Sequence, residues 1–199
     1  ASCHRGRNPS LGGIAAQGPV RGLAFHADRS GYLPRIQMDA LQRYAAKCKL
    51  RITLAVLPGA MIVPSRPLGY VLPDGPDSGP IEAAHLREAF IIGPLRQFDD
   101  DPRFGLVVLA EIACRALSPG INDPGTAIGI LSALHRLFAE WARPAEADDP
   151  EFDRVAVPAP SLDEMFEDAF PAIARDGAGI IEVAERLQRV LGELGHCGD

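Results

Sequence analysis

The sequence predicts an α+β fold, a small β barrel- or sandwich-like N-terminal unit packed on a mostly α-helical C-terminal unit. Three observations predict it. From Leu23 to Leu72, short apolar runs are punctuated by turn residues. From Phe104 onward, apolar residues recur at helical spacing. Leu, Ile, Val and Phe make up about 27% of the 199 residues, above the ~20% below which chains stay disordered. The 20 Gly and 18 Pro imply many turns without reaching low-complexity composition.

Residues 1–22 lack periodicity and read as linker. Residues 23–98 read as a mostly β subdomain with short helices, and 99–199 as a helical subdomain. The β runs are Gly31–Ile36, the stretch Leu50–Val63 broken by Pro58-Gly59, and Arg66–Leu72. Met38 to Ala45 forms a short helix, with apolar residues at 38, 41, 44 and 45. The two halves of this region are loosely alike, reminiscent of the sandwiched-hairpin barrels of biotinyl and lipoyl carriers. The modification lysine is not present, so carrier function does not transfer.

Asp74–Pro80 is a connector, Ile81–Glu88 a short helix, and Ala89–Leu95 a return strand because Gly93-Pro94 ends any helix. Phe104–Leu117 carries a helical apolar stripe that stops at Ser118-Pro119-Gly120. Asp123 caps the next helix with Pro124 in its first turn, and the stripe runs on to Ala142. A short apolar strand is expected around Arg154–Val157. Ser161-Leu162-Asp163-Glu164 is a capping box, and Gly177-Ala178-Gly179 separates its helix from a last one, Ile180–Leu194.

The net charge of −6 is uneven. Residues 1–58 hold nine basic side chains against Asp28 and Asp39, a local balance of +7. An acidic chain without interleaved aromatics is a poor nucleic-acid binder, and no nucleic-acid partner is expected. Four scattered cysteines form no CxxC pair, which fits a reducing compartment, although Cys3 and Cys197 are free to pair. No run reaches the ~18–20 apolar residues of a membrane span, and the N-terminus is no signal peptide. The chain starts without Met and reads as a segment of something longer.

The most unusual segment is Arg115 to Pro124. One reading gathers Arg115, Ser118, Asn122, Asp123 and Thr126 around a small anionic ligand at a helix N-terminus. Asp101 and Arg96 complete that candidate binding set. The other reading is a helix stop and start, with Gly120 at positive φ and Asp123 as cap. Ser118 lacks the glycine two places before it that a nucleophile elbow requires, since Ala116 stands there. Asp99-Asp100-Asp101 reads as a solvated turn or as partners for Arg96 and Arg103. His135 is expected on the solvated side of its helix. No catalytic residue, metal site or cofactor is assigned.

Several segments resemble a known bacterial family. They are Asp101-Pro102-Arg103-Phe104-Gly105, Leu109-Ala110-Glu111-Ile112-Ala113, and the run from Arg115 to Pro124 with Thr126-Ala127. Shorter pieces are Ser30-Gly31-Tyr32-Leu33, Leu57-Pro58-Gly59, Ala89-Phe90, Arg96 and Ala169-Phe170. The chain is similar to the predicted membrane proteins grouped as domain of unknown function 2254. The resemblance implies a domain following several N-terminal membrane helices, on the cytoplasmic side of a bacterial inner membrane. The basic first 58 residues suit a segment beside the inner leaflet. The resulting expectation is a non-enzymatic regulatory, ligand-sensing or assembly domain, with homo-oligomerisation through the last helices. An enzyme or anion site built on Arg115, Asn122, Asp123 and Asp101 is the alternative.

Overall fold

The computed structural model describes residues 11–16, 18, 21–143 and 149–196. The Cys3–Cys197 pairing lies outside them. The chain forms two compact units, Ala1–Asp101 with Ala147–Pro160, and Pro102–Glu146 with Ser161–Asp199.

The first unit holds eight strands in two open sheets, so the expected barrel is not closed. The strands are β1 (Gly13–Ala15), β2 (Leu23–His26), β3 (Gly31–Ile36), β4 (Leu50–Leu54), β5 (Met61–Ile62), β6 (Pro67–Pro73), β7 (Phe90–Gly93) and β8 (Phe152–Val157). A five-stranded sheet runs β1-β8-β4-β6-β2 and a three-stranded antiparallel sheet runs β5-β3-β7. The segment expected to be linker therefore carries β1, which pairs in parallel with β8. Pro34 sits inside β3 where the register with β7 shifts, a place where a missing N–H costs no ladder bond.

Strand β8 departs most from the sequence order. It was expected within the helical part, yet it lies between β1 and β4 in the first unit. Val155 and Val157 are buried there. Helix α1 (Met38–Cys48) fixes its position. Gln42 Nε2 donates to Asp153 at 2.5 Å and Gln42 Oε1 accepts from the Arg154 N–H at 3.1 Å. Met38, Leu41, Ala45 and Cys48 form the buried stripe of α1, the 3.6-residue period its sequence predicts. The connector after β6 is tied down by Asp74, which accepts from Arg51 and Arg154 at 2.8 and 2.9 Å. Helix α2 (Ala83–Glu88) buries Leu86 and completes this unit's elements.

The second unit is helical: α3 (Pro102–Leu117), α4 (Pro124–Trp141), α5 (Leu162–Ala169), α6 (Pro171–Gly177) and α7 (Ile181–Gly195). Its core joins Leu131, Leu134, Ile173, Val183 and Val190 with a ring cluster. Phe138, Phe166 and Phe170 have centroids 4.5–5.4 Å apart. The N-cap half of the capping box forms, Ser161 Oγ accepting from the Glu164 N–H at 3.2 Å, while the Glu164 carboxylate pairs with Arg103. Its helix is shorter than the periodicity suggests, because Pro171 restarts the chain as α6.

Candidate functional site

Asp101 belongs to the first unit and is the buried charged residue there, 1% exposed. Arg96 grips it in a fork, Nε to Oδ2 at 2.7 Å and Nη2 to Oδ1 at 3.0 Å. Two parallel charge-assisted bonds orient both groups as well as neutralising them. The carboxylate lies on the Leu57-Pro58-Gly59 turn. A Cβ on Gly59 would stand 2.3–2.5 Å from the Asp101 carboxyl atoms, and φ there is +92°. Only glycine fits on both counts. The Gly59 N–H donates to Leu33 O at 2.8 Å, and the Leu33 N–H donates to Ala60 O at 3.0 Å. Three of the segments that carry the family resemblance thus meet at one carboxylate, and a fourth, through Leu33, bonds the turn on which it sits.

The remaining acids of the run are held separately. Asp100 pairs with Arg35 at 2.9 Å and Asp99 lies 3.7 Å from the same guanidinium. Arg103 pairs with Asp168 at 2.6 Å and with Glu164. Among the described residues no group of three His, Cys, Asp or Glu is placed to hold a metal ion.

The connector from Arg115 to Pro124 lies in the second unit and consumes its own polar groups. Ser118 Oγ donates to Arg115 O at 2.6 Å, and the Ile121 and Asn122 N–H groups donate to Ser118 O at 3.0 and 2.8 Å. The Asp123 N–H returns to Ala116 O at 2.8 Å. The left-handed residue is Asn122, φ +49°, not Gly120; Asn tolerates that region because its short side chain does not crowd the backbone. Asp123 Oδ1 accepts from the Thr126 N–H at 3.1 Å and Oδ2 from Thr126 Oγ1 at 2.6 Å. These bonds hold its carboxyl below the usual carboxylate range, the Thr126 hydroxyl contributing most. Arg115 is exposed and does not pair with Asp123.

Ser118 is therefore a helix-end hydrogen bond rather than a poised nucleophile. His135 is only partly solvated, with Nε2 3.3 Å from Glu193 Oε2. Burial pushes the Cys114 thiol up to about 11, reinforced by its hydrogen bond to Asp176. Such a thiol is a poor nucleophile.

Sequence reasoning missed two clefts, each of about 440 Å³. One, in the first unit, is lined by Arg35, Arg43 and Asp100 beside the start of α1. The other lies between α4 and α7 and is lined by Ile128, Ser132, Glu182, Glu185, Arg186 and Arg189. None of the seven predicted binding residues lines either. The signal for the second was present as the charge order Glu182-x-x-Glu185-Arg186-x-x-Arg189.

Comparison with known proteins agrees with the resemblance. A family described as "Predicted membrane protein (DUF2254)" matches residues 5–193. Uncharacterized proteins of Mycobacterium tuberculosis (strain CDC 1551 / Oshkosh) and Mycobacterium bovis are each 33% identical over 141 residues. Those alignments cover 68% of this chain and 27% of each relative. The chain spans about a quarter of the length of the curated relatives it matches. No solved structure gives a significant match. No helix among the described residues is long and apolar enough to cross a membrane.

Proposed function

Since the chain belongs to the DUF2254 family of predicted membrane proteins, we propose that it is an extramembrane, cytoplasm-facing domain of such a protein. Its role is regulation or assembly by binding, not catalysis. The observation that carries this reading is the chemistry of the connector. Ser118, Asp123 and Thr126 spend their hydrogen bonds on ending α3 and starting α4, so they leave no acid, base or nucleophile aimed at a reacting atom. The +7 balance of residues 1–58 supports a position beside an anionic inner leaflet.

Sidedness is tested in the full-length protein, expressed in a bacterial inner membrane with an epitope after Asp199. The tag should resist added protease in intact spheroplasts and be cut in inverted vesicles; the reverse pattern overturns the cytoplasmic placement. Turnover of an anionic substrate by the chain, lost in a folded Asp123→Ala variant, would overturn the non-catalytic role.

A further inference from the structure

We draw no further inference here: the strongest candidate, the cleft of about 440 Å³ beside the start of α1, rests on a helix N-terminus with no second observation that points to a ligand, its Arg35 being already paired with Asp100 and its Arg43 exposed.

Discussion

Arg96 and Arg186 are partly buried guanidiniums, one in each unit, and the fold treats them differently. Arg96 has a carboxylate on its fork and that carboxylate is seated on a glycine turn. Arg186 has one hydroxyl and a bare buried Nε. Burying a charge is tolerable only when its partner is buried with it. Arg96 is thus a finished structural device, whereas Arg186 keeps one buried donor without an acceptor. Arg96, Asp101 and Gly59, which carry part of the family resemblance, build the finished one, whereas the run from Arg115 to Pro124 spends its polar groups on a helix junction in the second unit.

The widest separation between the two should come from Asp101→Ala. It removes the carboxylate from the fork of Arg96, which retains 22% side-chain exposure, and should cost about 3 kcal/mol, the low end for breaking a buried pair. Denaturant unfolding measures it. The Arg96→Ala/Asp101→Ala double variant should lose less than the two single losses added together, since the residues are in contact. Strict additivity would mean the fork contributes nothing specific.

A second contrast sits in the second unit. A Cβ on Gly177 would stand 2.5 Å from Val183 Cγ1, and Val183 is fully buried. Gly177→Ala should therefore cost about 1–3 kcal/mol by overpacking. Val183→Ala in the same chain should recover part of that loss. If it does not, backbone conformation rather than crowding requires glycine there.

The local half of the fold was legible because local chemistry decides it. Asp123-Pro124 announces a cap and a first turn, and Ser161 with Glu164 does the same. Gly31–Ile36 is bounded by turn signals and forms β3 over those residues. What depends on distant partners was not legible. Nothing in Phe152–Val157 says that it pairs with residues a hundred positions earlier, and three residues at Gly13–Ala15 carry no period. The acidic run Asp99–Asp101 reads as a solvated turn or as partners for Arg96 and Arg103, and Arg96 does hold Asp101; the turn that buries Asp101 lies 42 positions upstream at Gly59. Arg186 was hidden for the same reason, since a stripe of charges on a helix is ordinarily just a wet face.

Acid should expose a smaller difference. Asp74, Asp123 and Asp176 all have carboxyls held below their ordinary range: Asp74 by hydrogen bonds from Arg51 and Arg154, Asp123 by Thr126, and Asp176 by Arg175 and the Cys114 thiol. Each folded pKa lies below the unfolded value near ~3.9, so the unfolded chain binds protons first as pH falls. The stabilisation is complete above that unfolded value and disappears as pH drops through the folded ones. Thermal midpoints should hold nearly level from pH 7 to 5 as far as these groups are concerned, then fall below about pH 4. Asp123→Asn keeps the cap but cannot titrate, so its acid slope should be shallower. An unchanged slope would remove Asp123 from the set.

The smallest effect is the most diagnostic. Arg186→Met keeps the length of the side chain and removes the unsatisfied donor, while Ser132 Oγ keeps Ile128 O as its acceptor. The stability of Arg186→Met should stay within ~0.5 kcal/mol of the parent. Arg96→Met should be far worse, because it removes the fork that holds the buried Asp101. An Arg186→Met variant as unstable as Arg96→Met would mean that Arg186 already has its partner within its own chain. The contrast between the two guanidiniums would then be lost.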